Sequence, residues 1–298
     1  MVRNILKWVG IVLGSLVGLL VLALVVVYLL GDAKLNKKYE LSVERITVST
    51  DAQAIQRGEH LATAIMLCTR CHGENLAGQI YFDAPGLLII PSPNLTTGKG
   101  GVGQDYTDED WLRAIRHGVG KDGRGLFLMP APAFQVYNEE DTAALLSYLK
   151  QLPPVNNELP TRSFEPMAKV MSGVGAMPPM PVDLVDHAAP YGAVGTGVTP
   201  DYGSVLAATC KECHGEKLNG TPFGPPGQEV MTPNLTPGGE LAAWTETDFT
   251  KTLRTGVTPA GRPLNVEMPW KYYGKMADDE LKAIWLYLRS LPSLKTGE

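Results

Sequence analysis

The chain has 298 residues, enough for a membrane segment and two domains of about 100 residues each. It carries 26 basic and 31 acidic side chains, for a formal net charge of −5. Residues 39–298 hold 21 of the basic and 30 of the acidic side chains, a net charge of −9. A surface this acidic argues against a nucleic-acid-binding protein, so we expect no nucleic acid partner.

The first predicted element is a long apolar helix. Residues 8–30 form a run of 23 residues without a charge, and about 20 are enough to cross a bilayer. The run exceeds the ~7–15-residue apolar core of a cleavable signal peptide, and no cleavage site of small residues follows it. We therefore expect residues 1–31 to be an uncleaved, single-pass anchor in contact with membrane lipid, followed by a tether over residues 32–50.

Two pentapeptides of the form C-x-x-C-H contain all four cysteines of the chain. This is the attachment pattern of c-type haem, in which two thiols form thioethers to the vinyl groups of one porphyrin. The histidine that follows is placed to bind the iron. The sequence therefore predicts two covalently attached haem c groups, with Cys68, Cys71 and His72 holding one and Cys210, Cys213 and His214 holding the other.

Zinc sites and redox-active dithiols are the alternatives for paired cysteines. In a structural zinc site the two pairs are usually ~15–20 residues apart, whereas 138 residues separate Cys71 from Cys210. A thioredoxin-like dithiol needs βαβ patterning around the motif, and the flanking sequence shows none. Both alternatives are weaker than haem attachment.

The chain contains a tandem repeat. Each copy has the motif, a Pro-Asn-Leu-Thr segment, a helical segment ending in Gly-Val, a Met-Pro pair and a last helix that precedes a proline. The copies are offset by 138 to 142 residues. We assign unit 1 to residues 51–155, a linker to residues 156–200 and unit 2 to residues 201–298.

The units are predicted to be mainly helical, so that the fold class is all-α: an N-terminal transmembrane helix followed by two tandem domains. Apolar residues recur at helical spacing in the last segment of each unit, and the Gly/Pro-rich loops show little sign of paired strands. Asp51 and Asp201 are predicted N-caps of the first helices, and Thr107–Asp110 and Thr245–Asp248 are predicted capping boxes. The last helices are predicted to start at Asn138 and Asp278 and to stop at Pro153 and Pro292.

The linker is rich in proline and methionine, with the run Met-Pro-Pro-Met-Pro at residues 177–181. This composition predicts an extended segment lying over the domains. A copper site on these methionines is a weaker alternative, because no histidine or cysteine cluster accompanies them.

The Met-Pro pairs supply the candidates for the second axial ligand of each iron. Met129 and Met268 occupy equivalent positions in the repeat, and the proline after each stiffens the loop. A thioether favours Fe(II), so His/Met ligation raises the reduction potential and leaves no open position for O₂ or peroxide. The alternatives are that these methionines fill the core, that His117 is the ligand in unit 1, or that the ligand is a methionine without a repeat partner: Met66, Met167, Met171, Met231 or Met276.

Two arginines, Arg116 and Arg254, also recur in the repeat. A guanidinium can neutralise a buried haem propionate through a charge-assisted pair, and a solvated helix face is the equal alternative. His60 and His187 are expected to be ordinary surface or core residues.

The run C-x-x-C-H-G…P-N-L-T…R-x-G-V…G-R…M-P…Y-L-x-x-L-P resembles class I cytochrome c, and it occurs twice, over residues 51–155 and 196–298. The chain is similar in particular to the cytochrome c subunits of bacterial membrane-bound alcohol, aldehyde and gluconate dehydrogenases. The resemblance implies electron transfer without catalytic residues, with a membrane dehydrogenase, a quinol-oxidising complex or a terminal oxidase as partner. Those subunits usually carry three such domains, whereas this sequence shows two and places its apolar run at the N-terminus.

The resemblance also implies that the haem domains lie on the outer, periplasmic face of a bacterial cytoplasmic membrane. The positive-inside count indicates the opposite, because two basic residues precede the apolar run and four follow it. We give the haem argument more weight and expect a tethered shuttle, or a subunit of a dehydrogenase or oxidase complex, in a respiratory or photosynthetic chain. The alternative is a dihaem redox enzyme of the peroxidase or thiosulfate dehydrogenase type, which needs an open or Cys/His-bound distal side.

Overall fold

The computed structural model describes residues 2–224 and 229–298. Its first element, α1 (Val2–Leu35), is long and apolar enough to cross a membrane. The helix continues beyond the predicted anchor to Leu35, which is buried against unit 1. In the described part of the chain this is the one helix that fits a membrane span.

The two units contain the same succession of α-helices, as the repeat predicts, and unit 2 has one additional 3₁₀ turn. In unit 1 they are α2 (Ala52–His60), a π-helical turn (Leu61–Ile65), α3 (Cys68–His72), α4 (Asp108–His117), α5 (Ala131–Phe134) and α6 (Glu139–Leu149). In unit 2 they are α8 (Pro200–Leu206), a 3₁₀ turn (Ala207–Cys210), α9 (Lys211–His214), a 3₁₀ turn (Glu240–Ala243), α10 (Glu246–Thr255), α11 (Trp270–Tyr273) and α12 (Asp278–Ser290). Buried apolar side chains of both units form one continuous core.

The first and last helices of each unit cross at a glycine. α2 packs against α6 at Gly58, where a Cβ would lie 2.0 Å from the carbonyl oxygen of Ala144. α8 packs against α12 at Gly203, where a Cβ would lie 2.0 Å from the carbonyl oxygen of Ala283. Only glycine permits so close an approach of two backbones. Each C-x-x-C-H motif begins within ten residues of the glycine at this crossing.

The helix starts follow the sequence predictions with one exception. Asp51 and Asn138 cap α2 and α6, and both predicted capping boxes are formed. The N-cap predicted at Asp201 is wrong: the side chain of Thr199 accepts the capping hydrogen bond, and Pro200 takes the first helical position. Proline suits that position because its φ is already helical and its missing N–H would have had no partner.

The prediction of an all-α fold is only partly correct, because the described residues also contain short strands. They are β1 (Gln79–Ala84), β2 (Leu88–Ser92), β3 (Ser163–Phe164), β4 (Pro222–Phe223) and β5 (Val230–Met231). β1, β2 and β3 form one antiparallel sheet in that order, and β4 pairs with β5. Leu88 and Ile90 are buried and Ile89 less so, which is the period of two that a half-buried strand shows.

The tether and the linker pack on unit 1, and the linker is less extended than its composition predicts. In the tether, the amide of Tyr39 donates to the carbonyl of Gly123 at 2.8 Å. The linker contains α7 (Pro166–Gly173) and a 3₁₀ turn (Pro181–Leu184). Met180 and Val182 are almost fully buried in an apolar cluster of unit 1. Burying these side chains favours a compact path over an extended one.

Candidate haem sites

Each C-x-x-C-H motif forms a single helical turn that ends at a glycine. In unit 1 the turn starts at Cys68, after Leu67 adopts the left-handed conformation with φ of +56°. Gly73 and Gly215 end the two motifs with φ of +81° and +80°, a region that other residues rarely adopt. Cysteines three residues apart on a helical turn share a face. The two thiols of each motif therefore lie on the same side.

The histidine of each motif is oriented by a proline carbonyl. Nδ1 of His72 lies 2.8 Å from the carbonyl oxygen of Pro93, and Nδ1 of His214 lies 2.8 Å from that of Pro233. A carbonyl oxygen only accepts, so Nδ1 donates and Nε2 keeps its lone pair for a metal. Burial lowers the pKa of both histidines, against a partial opposing effect of this hydrogen bond. The neutral imidazole that results is the form that fits an axial iron ligand.

The Pro-Asn-Leu-Thr segment that supplies the carbonyl is anchored by its asparagine. Asn94 and Asn234 are almost fully buried. Their amide groups donate to the carbonyl oxygens of Val155 at 2.7 Å and Leu294 at 2.8 Å, beyond the last helix of each unit. The orienting carbonyl is therefore fixed to the chain that follows α6 in unit 1 and α12 in unit 2.

The four thiols are unpaired and half-buried. Burial, with a smaller effect of the neighbouring thiol, raises the pKa of Cys68 and of Cys210 to about 12. Redox-active cysteines have a lowered pKa, because the thiolate is the reactive form. Among residues 2–224 and 229–298, no group of three or more His, Cys, Asp and Glu side chains is arranged to hold a metal ion. The apolar setting of these thiols fits thioether attachment to a porphyrin.

Met129 and Met268 occupy the same turn in the two units. The carbonyl of each accepts a hydrogen bond at 2.8 Å from the amide two residues later, and the proline between them precedes α5 or α11. Both side chains are partly buried against the core that also contacts Cys68 and Cys210. Iron ligation stays a prediction for both. Among the alternative methionines, Met66 and Met276 are buried, Met171 is half-buried in α7, and Met167 and Met231 are exposed.

His117, the alternative ligand in unit 1, is engaged with His187. Their Nδ1 atoms lie 3.0 Å apart, and Nε2 of His187 is 3.1 Å from the carbonyl of Val182. The carbonyl of Val182 only accepts, so Nε2 of His187 carries a proton and donates to it. In a neutral His187 the Nδ1 atom then accepts, and Nδ1 of His117 donates the hydrogen bond between the two rings. Burial, followed by the effects of His187 and two arginines, lowers the pKa of His117 to about 4.

Arg116 and Arg254 bind the backbone of the segments that follow the Met-Pro pairs. Arg116 is buried, donates to the carbonyl of Gln135 at 3.2 Å and lies 3.8 Å over the ring of Tyr191. Arg254 donates to the carbonyl of Gly274, which is the position equivalent to Gln135 in the repeat. These contacts connect α4 to the end of α5, and α10 to the end of α11. Pairing with a propionate stays a prediction for both arginines.

Each unit packs its short helix after the Met-Pro pair against the other unit. α11 contacts the π-helical turn before the first motif, and α5 contacts the 3₁₀ turn that leads into the second. Arg70, inside the first motif, lies 3.3 Å from the carboxylate of Glu267, the residue before Met268. The hydroxyl of Tyr272 donates to Glu74 at 3.0 Å. No sequence pattern predicts these contacts, because their partners are almost 200 residues apart.

A hydroxyl pair distinguishes the second site from the first. The hydroxyls of Thr209 and Tyr273 lie 2.9 Å apart in the buried region beside Cys210. By the repeat offsets, the equivalent residues of unit 1 are Leu67 and Phe134, which have no hydroxyl. The first motif has a different polar neighbour, because the side chain of Tyr81 hydrogen-bonds to Cys71.

Arg57 connects the two units through buried carboxylates that the motifs do not reveal. Its guanidinium contacts Asp141 at 2.7 and 2.9 Å, Glu280 at 3.1 Å and the hydroxyl of Tyr202 at 2.8 Å. Nε2 of His60 lies 2.6 Å from the other oxygen of Glu280. Burial alone would raise the pKa of Glu280, but His60, a backbone amide and Arg57 together lower it. The network holds α2 of unit 1 against α8 and α12 of unit 2.

Comparisons with known proteins match the sequence that forms these sites to one family. Residues 55–153 and 201–292 match the family model for cytochrome c. The chain is 28% identical over 281 residues to the fructose dehydrogenase cytochrome subunit of Gluconobacter japonicus, covering 84% of this chain and 55% of that protein. It is 28% identical over 283 residues to the alcohol dehydrogenase (quinone) cytochrome c subunit of Gluconacetobacter polyoxogenes, covering 85% and 59%. A shorter match, 40% over 100 residues, is to the gluconate 2-dehydrogenase cytochrome c subunit of Pantoea cypripedii, covering 32% and 22%.

The chain thus spans less than three fifths of the length of these relatives. The matched residues include both motifs and both oriented histidines, and the relatives are cytochrome subunits of dehydrogenases, as the resemblance in the sequence implies. Family members carry covalently bound haem c, which the motifs predict as well. The chain belongs to the cytochrome c family.

Proposed function

We propose that the chain is a membrane-anchored dihaem cytochrome that carries single electrons and has no catalytic residues of its own. The observation that supports this proposal occurs twice: a buried histidine, oriented by a proline carbonyl at 2.8 Å, ends a C-x-x-C-H motif with unpaired thiols. Haem c bound at such a site supplies a reversible Fe(III)/Fe(II) couple. The residues that hold the two groups are Cys68, Cys71 and His72 in unit 1 and Cys210, Cys213 and His214 in unit 2.

Met129 and Met268 are our candidates for the sixth ligand. Their equivalent turns and their partial burial against the core beside the motif cysteines support this role. A thioether stabilises Fe(II) and so raises the potential, and it occupies the position where a small ligand would bind. Arg116 and Arg254 support the role indirectly, because they fix the segments that follow the Met-Pro turns.

The two units form a short relay in this proposal. The first motif lies beside the loop that carries Met268, through the contact between Arg70 and Glu267. The core is continuous between the units, so little water separates them. This packing favours electron exchange within the chain over two independent carriers.

The partners follow from the relatives and from charge. Cytochrome subunits of fructose, alcohol and gluconate dehydrogenases are similar to this chain, so a membrane dehydrogenase is our candidate electron donor. A quinol-oxidising complex or a terminal oxidase is the candidate on the other side. The net charge of −9 after residue 38 would favour a basic docking surface on a partner.

The location proposed is the bacterial cytoplasmic membrane, with α1 as a single-pass anchor and both units on the periplasmic face. α1 is long and apolar enough for this role. Its last turns contact α7 of the linker, so cleavage before residue 31 would remove part of a packed interface. A reporter fused after residue 298 and active only in the periplasm would test the orientation.

The test of the cofactor sites is the intact mass of full-length protein made with haem maturation machinery. We expect the mass of the chain plus two haem groups. Replacing both cysteines of the second motif (Cys210→Ala with Cys213→Ala) should leave one haem, whereas Thr209→Ala beside them should keep both. A wild-type chain with fewer than two haem groups would contradict the proposal.

The test of the sixth ligand is a redox titration with its spectra. Met268→Ala should lower one of the two potentials and allow carbon monoxide to bind that haem. Met231→Ala removes an exposed methionine of the same unit and should change neither. Carbon monoxide binding by the unmodified protein, or turnover of hydrogen peroxide, would favour the dihaem enzyme instead. Polypeptides that co-purify after mild detergent extraction would distinguish a complex subunit from a shuttle.

A further inference from the structure

The linker helix α7 lies antiparallel to the end of α1, with backbone contacts at two glycines. A Cβ on Gly31 would lie 1.7 Å from the carbonyl oxygen of Lys169, and a Cβ on Gly173 would lie 2.1 Å from that of Val27. Small residues that let two helices approach through their backbones are typical of helix pairs in membranes. The pairing places the C-terminal end of α7 alongside the apolar part of α1.

A charged pair marks the end of the apolar run on α1. Asp32 is the first charged residue after residues 8–30, and its carboxylate lies 2.9 Å from Nζ of Lys169. The same Nζ lies 3.2 Å from the hydroxyl of Tyr28, and tyrosine is enriched at the membrane–water boundary. Gly173 contacts Val27, five residues before Asp32, which is about 7.5 Å further along the helix at ~1.5 Å per residue.

The segment that contains α7 has the composition of a lipid-facing helix. Lys169 is the one charged residue in residues 166–182, and its charge is compensated by Asp32. Val174, directly after α7, is 63% exposed, although it lies at the level of the apolar run. Exposure of this apolar side chain to water is unfavourable, whereas in the acyl region of a bilayer lipid chains would surround it.

We infer that α7 and the turn after it are seated in the bilayer beside α1, with Val174 in contact with lipid acyl chains. The inference rests on the proposed membrane anchor and goes beyond it, because a second segment then fixes unit 1 at the membrane. Interfacial helices bury their apolar face about 5–10 Å into the headgroup and acyl boundary, in agreement with the depth of Gly173. Unit 1 is therefore held at the membrane in a fixed orientation, and residues 32–50 do not act as a flexible tether.

The experiment measures the depth of three side chains of matched exposure in the full-length, haem-loaded protein. Leu20 in the middle of α1, Val174, and Val230 on β5 of unit 2 are 62%, 63% and 63% exposed. Each is replaced in turn by a ketone-bearing amino acid that takes a nitroxide, which leaves the four cysteines untouched. The protein is placed in vesicles of phosphatidylcholine and phosphatidylglycerol. Collision of the nitroxide with oxygen, which concentrates in bilayers, is compared with collision with a water-soluble nickel chelate.

We expect the label at position 174 to resemble that at position 20, with frequent oxygen collisions and a loss of most nickel collisions relative to position 230. Nickel collisions at position 174 equal to those at position 230 would overturn the inference. A label at position 174 shielded from both reagents would also overturn it and indicate contact with a second copy of the chain. If position 20 were accessible to nickel as well, the proposed anchor itself would be wrong, so the two failures are distinguishable.

Discussion

The buried side chain of His117 in unit 1 makes the stability of the chain depend on pH in a calculable way. His117 is 8% exposed and its pKa is lowered from 6.5 to about 4, mainly by burial. Below pH 6.5 the unfolded chain binds a proton that the folded chain does not. Stability is therefore unaffected by this group above pH 6.5 and falls as the pH falls from 6.5 towards 4.

The magnitude follows from the two pKa values. The change from 6.5 to about 4 corresponds to a maximum loss of roughly 3 kcal/mol, of which about 2 kcal/mol is reached at pH 5. His117→Gln keeps a side chain that can hydrogen-bond to His187 and removes the titration. We expect the loss of unfolding free energy between pH 7 and pH 5 to be about 2 kcal/mol smaller in this variant.

The assay is urea unfolding of the haem-loaded protein at pH 7 and pH 5, followed by far-ultraviolet circular dichroism. His187→Gln is the matched control: because burial is the leading cause of the lowered pKa of His117, this variant should retain most of the pH dependence. Equal losses in the wild type and in His117→Gln would refute the reasoning, since the buried imidazole would then not be the group that titrates.

Three further perturbations test the interface and the two sites. Arg57→Met leaves the buried carboxylate of Asp141 without its ion-pair partner and removes one of the partners of Glu280, so it should cost about 3 kcal/mol in urea unfolding. Arg45→Met removes an exposed ion pair and should cost less than about 1 kcal/mol; equal costs would contradict the network. Gly203→Ala places a methyl group 2.0 Å from a carbonyl oxygen and should lower the free energy of unfolding by about 1–3 kcal/mol. The control Gly195→Ala adds a methyl group in open space, so this variant should unfold at the same urea concentration as the wild type. Tyr273→Phe removes a hydroxyl beside the second site only. It should raise one of the two reduction potentials in a redox titration, because less polar surroundings disfavour Fe(III). Two shifted potentials, or none, would contradict an effect of this hydroxyl on the second site alone.

The features predicted correctly from the sequence are local ones. A capping box such as Thr107–Asp110 is complete within four residues. A C-x-x-C-H motif is equally local, with its thiols and its histidine within five residues, and haem attachment to it stays a prediction. The tandem repeat predicts that each helix occurs twice, and the described helices follow that order. Local chemistry of this kind does not depend on where the rest of the chain goes.

The features that were missed depend on distant partners or on competing local signals. Arg57 and Glu280 are 223 residues apart, and no periodicity connects them. The strands β1 and β2 are short, and Pro91 interrupts the second, so their alternating burial was hidden in a segment that looked like a loop. Asp201 was a reasonable cap by residue type, but Pro200 before it set the start of the helix.

The interface between the units explains why a duplicated cytochrome need not behave as two separate carriers. α5 and α11 are equivalent in the repeat, and each contacts the turn before the other unit's motif. This is the reciprocal arrangement of a two-fold dimer, produced here within one chain. Such a contact brings both candidate sites to the shared surface, and the Arg57 network resists rotation of one unit against the other. In the proposed relay, the residues that hold the two sites together therefore lie mostly outside the motifs, in the contacts between the two copies, and Arg70 is a motif residue that contributes as well.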